Sequence, residues 1–102
     1  MSYFVYILYS KRDRKLYTGC AANLEKRISA HNTGKVLSTQ NRRPLVLIHS
    51  ETFQDKGEAF KRERFLKSLW SGKIKKKILK DYLKNAAKPI LLSQNWPPDP
   101  SD

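Results

Sequence analysis

The chain predicts a small α/β (α+β) domain, and three features of the sequence lead there. Segments rich in aromatic and β-branched residues interleave with segments patterned as helices. Hydrophobic residues make up 39% of the chain, enough for one modest core. A length of 102 residues suits one domain and is too short for two. Residues 1–86 are expected to form that domain, and residues 87–102 a C-terminal extension that ends in a frayed tail.

Residues 3–9 (YFVYILY) are aromatic or aliphatic at every position, the pattern of an inner strand covered on both faces. Lys11 to Lys15 is a charged turn, after which Leu16-Tyr17-Thr18 returns antiparallel, and Gly19 marks a bend or a close backbone approach. Two registers are open. If Tyr9 opposes Leu16, Tyr17 shares a face with Leu8 and Tyr6; a slip of one residue separates the two phenols.

Asn23 is a suitable N-cap for a helix running to about Asn32, with Gly34 as its left-handed terminator. Leu24 and Ile28 form its buried stripe, and Arg27 and His31, four apart, share a face from which both can act on one ligand. A polar loop, residues 35–43, is closed by Pro44 ahead of an apolar third strand, Leu45-Val46-Leu47-Ile48. Asp55 and Glu58 form a variant capping box for a helix expected to reach about Trp70. On it Ala59, Glu63, Leu66 and Trp70 fall on one inward stripe, so a carboxylate interrupts an apolar face while Lys61, Arg64 and Lys67 point away. Gly72 punctuates, and a last helix over residues 73–86 sets Ile74, Ile78 and Tyr82 against Lys73, Lys76, Lys77, Lys80 and Lys84. Beyond Pro89, Ile90-Leu91-Leu92 and Trp96 are expected to pack back on the domain.

Lysine and arginine number 21 against 9 acidic residues, a net charge of +12 with a pI near 10. A neutral metabolite gives little reason for that excess, whereas a phosphate backbone does, and nucleic acid is the expected partner ahead of anionic lipid or simple solubility. No apolar run approaches the roughly 20 residues of a membrane-spanning helix. Met1-Ser2-Tyr3-Phe4-Val5 enters a strand pattern at once, leaving no room for a signal peptide. Cys20 is alone, without an internal disulfide or a CxxC pair, which suits a reducing cytoplasm, the expected location. No protein partner can be named from these features.

Tyr6, Tyr17, Arg27, His31 and Glu63 supply two phenols, a guanidinium, an imidazole and one carboxylate set apart from the basic background. Cleavage of a phosphodiester needs those groups: proton transfer, neutralisation of charge on phosphate, and an oxygen ligand for a hard cation. The order resembles the GIY-YIG endonuclease family, in its small single-domain bacterial branch. Phe4-Val5-Tyr6 stands in the place of the first motif and Tyr17-Thr18-Gly19 in that of the second. An arginine-bearing helix follows, then a helix with Ala59, Arg62-Glu63 and Lys67; the likeness spans about Tyr3 to Ile78.

That resemblance implies a three-stranded antiparallel sheet flanked by helices, and cleavage of nucleic acid with one divalent ion. It also implies roles residue by residue. Tyr6 and Tyr17 match the motif tyrosines, one of which helps deprotonate the attacking water. Arg27 matches the arginine that stabilises charge on the transferring phosphate, His31 a histidine found in part of the family, and Glu63 the metal ligand. Three positions depart from the pattern: Phe4 replaces glycine, Thr18 replaces isoleucine, and Cys20 stands where repair enzymes often carry a phosphate-binding lysine. For the asparagine that larger relatives carry downstream, Asn85 and Asn95 are only loose matches, and neither is assigned.

Physical chemistry supports similar roles. A phenol with a pKa of about 10 is a poor base at neutral pH unless a cation lies close to it. One carboxylate is an ordinary share of the shell of Mg²⁺, or of Mn²⁺ in its place, since the smaller ion keeps several waters. Arginine can contact two phosphate oxygens at once, as lysine cannot. Lys35, Arg42 and Arg43 in the long loop, with Lys73, Lys76 and Lys77 on the last helix, are the expected backbone contacts.

Each of these residues also has a plainer reading. The tyrosines suit any strand, Arg27 suits a surface and His31 a helix end. Glu63 could be paired with Arg27 or Arg62, Cys20 could be incidental, and the lysine face could be merely solvated. The leading expectation is a metal-dependent endonuclease acting on structured or damaged DNA. The alternative is a noncatalytic nucleic-acid-binding module on the same scaffold, and behind both stands a basic adaptor docking through Trp70 or Trp96.

Overall fold

A computed structural model describes residues 2–86. The order of elements is β1 (Tyr3–Ser10), β2 (Leu16–Ala21), α1 (Leu24–Asn32), β3 (Leu45–Phe53), α2 (Lys56–Lys67) and α3 (Gly72–Ala86), with short 3₁₀ turns at Gln40–Arg42 and Leu69–Ser71. The three strands form one antiparallel sheet in the order β2-β1-β3, as expected. The extension at 87–102, with the packing expected of Ile90-Leu91-Leu92 and Trp96, lies outside the described residues.

β1 is central because its side chains are apolar on both faces, and both are covered. Tyr6 and Leu8 join Leu24, Leu45 and Leu47 on the face of α1, with Phe4, Tyr17, Ala21 and Ile28 packed against them. Val5 and Ile7 join Ala59 and Leu66 on the opposite face, with Ile48 and Ile78 alongside. Complete burial of one such aliphatic chain stabilises by about 1.5–3 kcal/mol, so the middle strand carries much of the core. A bulge at Ile48 lies between the pairs Ile7↔His49 and Leu8↔Leu47. It turns Leu47 toward the α1 face and leaves Ile48 on the other.

β3 continues to Phe53 rather than ending at Ile48. Its polar half still pairs with β1, and Glu51 accepts two bonds from Arg62, at 2.7 and 3.1 Å, and one contact from His49 at 2.7 Å. Burial works against the charged form of Glu51, but those partners outweigh it and hold the carboxyl below its usual range.

The caps agree with the sequence. Asn23 accepts from the Lys26 amide at 3.0 Å, Asp55 from the Glu58 amide at 3.0 Å, and Gly34 has φ +80°. Asn32 ties the end of α1 to β3 through both arms of its amide, donating to the Leu45 carbonyl and accepting from its N–H, each at 3.0 Å. One expectation fails: α2 stops at Lys67. Ser68 turns to an extended conformation (φ −85°, ψ 164°), so Trp70 leaves the inward stripe and is 88% exposed. On α3, Ile78 packs on the sheet and Tyr82 lies against Tyr9, ring centroids 5.8 Å apart, while Lys73, Lys76, Lys77, Lys80 and Lys84 are exposed.

Candidate active site

The hairpin takes the register that pairs Tyr9 with Leu16 and Leu8 with Tyr17. Tyr17 therefore shares a face with Tyr6, their ring centroids 6.4 Å apart. Opposite Tyr6 on β2 stands Gly19, over whose Cα the phenol ring lies. A Cβ built there would collide with the Tyr6 ring and hydroxyl, so glycine is needed for the close approach.

α1 brings the third ring. His31 is completely buried; its ring meets Tyr17 edge-on at 4.9 Å, and its Nε2 lies 2.9 Å from the Tyr6 hydroxyl. Its Nδ1 lies 2.8 Å from Thr39 Oγ1, and Thr39 in turn donates to the Val36 carbonyl at 3.4 Å. A carbonyl only accepts, so the chain has one direction: the Tyr6 hydroxyl donates to Nε2, Nδ1–H donates to Thr39, and Thr39 donates to Val36. Burial and then the nearby Arg27 charge lower the His31 pKa to about 4, so the imidazole is neutral at physiological pH. With both nitrogens engaged, His31 is no metal ligand. Fully buried and bonded to Tyr6, it is not positioned to share a ligand with Arg27 directly.

Burial also pushes the Tyr6 hydroxyl up to about 12, although the neighbouring Arg27 guanidinium acts against the rise. Arg27 itself is exposed on α1. Its closeness to the Tyr6 hydroxyl, and more weakly to Tyr17, holds its pKa above the usual value. Beside it lies a shallow cleft of about 290 Å³ lined by Ala21, Asn23, Lys26, Arg27 and Ala30.

Glu63 stands on α2, which packs against the opposite face of the sheet. Its charge acts on Tyr6 and on Cys20, in both cases disfavouring the anion. Its side chain is 19% exposed, and Oε2 is 3.2 Å from Lys67 Nζ. Neither Arg27 nor Arg62 is its partner; Arg62 is bound to Glu51. Among the described residues no group of three or more His, Cys, Asp or Glu side chains converges as a metal cage. The donor set is thus one carboxylate, which fits a hard cation that keeps its waters and does not fit a tetrahedral zinc site.

The other basic residues divide. Lys35, Lys73, Lys76 and Lys77 are exposed, the last three on the helix packed against the sheet face opposite Arg27. Arg42 is bound to Asp13 at 2.6 Å, holding that carboxyl at about 2, and to the Leu16 carbonyl at 3.3 Å. Arg43 donates to the Gln40 carbonyl at 2.9 Å and lies over Gly34. Both arginines therefore hold the long loop in place. Thr39, the residue that orients His31, was missed in the sequence, where a threonine in a polar loop carries no signal.

The GIY-YIG catalytic domain matches residues 2–78. The chain belongs to the GIY-YIG family. Small relatives agree: a UPF0213 protein of Staphylococcus haemolyticus is 46% identical over 67 residues, covering 65% of this chain and 80% of the relative. One from Clostridium perfringens is 49% identical over 67 residues, covering 65% and 71%. The solution NMR structure of a UPF0213 protein from Bacillus halodurans is similar with a TM-score of 0.53 and 30% identity, over 87% of this chain and 97% of that one. Membership in a nuclease family implies contact with nucleic acid. No helix among the described residues is long and apolar enough to cross a membrane.

Proposed function

We propose that this GIY-YIG chain is a cytoplasmic endonuclease that hydrolyses DNA phosphodiester bonds, acting on structured or damaged DNA with one Mg²⁺ or Mn²⁺. The observation that carries the reading is the directed chain Tyr6–His31–Thr39 behind an exposed Arg27.

Arg27 is the first group a phosphate meets. As it turns outward to bind two phosphate oxygens, it uncovers the Tyr6 oxygen, whose own proton already points at His31. Tyr6 can then accept a proton from the attacking water while passing its own to Nε2. The alternative base, a tyrosinate with a pKa of about 12, is present at only about one part in 10⁵ at pH 7. Neutral imidazole is almost fully populated there, so the relay offers far more of the competent form. Tyr17 packs the imidazole edge-on and keeps water from its ring. Glu63 is the residue that would hold the cation, which when bound neutralises charge on the scissile phosphate and leaving oxygen.

The test is incubation of purified protein with branched and linear DNA plus Mg²⁺ or Mn²⁺, beside Glu63→Ala. Cleavage of branched DNA by the parent, lost in Glu63→Ala, is expected; equal cleavage by both removes Glu63 from the mechanism. A second reading, the noncatalytic binding module, draws on Cys20 standing where repair enzymes carry lysine and on Lys67 resting against Glu63. It predicts salt-sensitive binding with no turnover on any substrate.

A further inference from the structure

The turn between α2 and α3 carries Leu69 at 99% exposure beside Trp70 at 88%. Their exposure is built by a fixed turn. Ser71 is fully buried, its hydroxyl 2.9 Å from the Leu66 carbonyl and 2.8 Å from that of Ser68, and Ser68 Oγ donates to the Phe65 carbonyl at 2.6 Å. Two large apolar side chains are thus held in water by a bonded scaffold, an arrangement that favours a partner surface. The charge around them names its chemistry. From Arg64 through Lys80 the chain has seven cations, Arg64, Lys67, Lys73, Lys75, Lys76, Lys77 and Lys80, and no carboxylate.

We propose that Leu69 and Trp70 form a stacking platform for unpaired nucleobases of a strand whose phosphates lie along Lys67, Lys73, Lys76 and Lys77. The proposal rests on the reading of the chain as a nuclease and adds what kind of strand it takes. Trp70 stands on the turn that directly follows α2, the helix carrying Glu63, so the platform belongs to the same arm of the fold as the proposed metal ligand. An indole accepts any base and reads no sequence, but it needs the base out of a duplex. The substrate class is therefore DNA with a single-stranded or frayed segment beside the cleavage point.

The chain has two tryptophans, so in a Trp96→Phe background the indole signal is that of Trp70. With EDTA present to prevent cutting, that protein is titrated with a dT dodecamer, a blunt duplex, an abasic deoxyribose-phosphate strand of equal length and phosphatidylserine vesicles. Indole emission is read in parallel with the anisotropy of labelled strands. Emission is expected to be quenched by the dT strand and not by the abasic one. Trp70→Ala is expected to weaken dT binding roughly five- to hundredfold while Trp70→Phe keeps most of it. The slope of log K against log salt should stay unchanged in both, because no phosphate contact is lost. Binding without quenching, equal affinity in Trp70→Ala, or a response to vesicles alone overturns the platform. Quenching by a protein that never cuts with Mg²⁺ leaves the platform standing and removes the nuclease reading; no binding to any strand removes both.

Discussion

Tyr6 donates its phenolic proton to Nε2 of His31 across 2.9 Å, in an interior that leaves the tyrosine 1% exposed and the histidine fully buried. The bond fixes the imidazole as a neutral acceptor and orients the phenol oxygen toward Arg27. Its consequences can be measured without any substrate.

Stability should depend on the His31 charge. The folded pKa, about 4, lies below the ordinary 6.5, so the unfolded chain binds more protons between those values. The contribution is fully present above pH 6.5 and is lost as pH falls to 4, roughly 3 kcal/mol in all. Thermal unfolding followed by circular dichroism should show this slope in the parent and a flatter one in His31→Gln. Identical slopes would contradict a buried neutral imidazole.

Removing Arg27 should move both of its neighbours. The guanidinium now lowers the pKa of His31 and opposes the rise at Tyr6. Arg27→Gln is therefore expected to raise both, observed by NMR titration of the His31 ring and ultraviolet titration of the phenols. If the enzyme reading holds, the same variant loses about 10²–10³ in kcat, and Arg27→Lys recovers only part of it.

Gly19→Ala places a methyl group against the Tyr6 ring. A loss of about 1–3 kcal/mol is expected from the forced displacement, measured by urea unfolding. In the background Tyr6→Leu, which lacks the ring, the added cost should shrink to a few tenths of a kcal/mol. Additive effects would show that the two positions do not meet.

Lys67 occupies the carboxylate assigned to the metal, 3.2 Å from its oxygen. A single pair with its lysine in solvent is worth about 0.2–1 kcal/mol, so Lys67→Met should tighten Mn²⁺ binding roughly two- to fivefold. Paramagnetic broadening of amide signals near Glu63 reads the affinity directly. Unchanged or weaker binding counts against Glu63 as the ligand.

The fold was legible where local chemistry decides it. Asn23, Asp55 and Gly34 announce the helix ends, and the apolar run at residues 3–9 announces the middle strand. The five candidate residues were picked out by their order along the chain; the structure brings Tyr6, Tyr17, Arg27 and His31 together on one sheet face and leaves Glu63 on the helix against the other. The register that makes this happen was not legible, because a charged turn at Lys11–Lys15 fits either pairing. Nor was Thr39, whose contact with His31 depends on the path of an irregular loop, or the capture of Arg42 by Asp13, 29 residues away. Trp70 was misplaced because a periodic stripe cannot reveal that Ser68 leaves the helix one turn early.

Tyr6 sits on the strand that holds both neighbours and packs both layers, so the residue placed at the centre of the proposed relay is also part of the foundation. Selection cannot retune it without endangering the whole molecule. Novelty in such a scaffold has to arise at its margins, on the outer arm of α1 and the turn after α2, where side chains can be exchanged while the centre stays as it is.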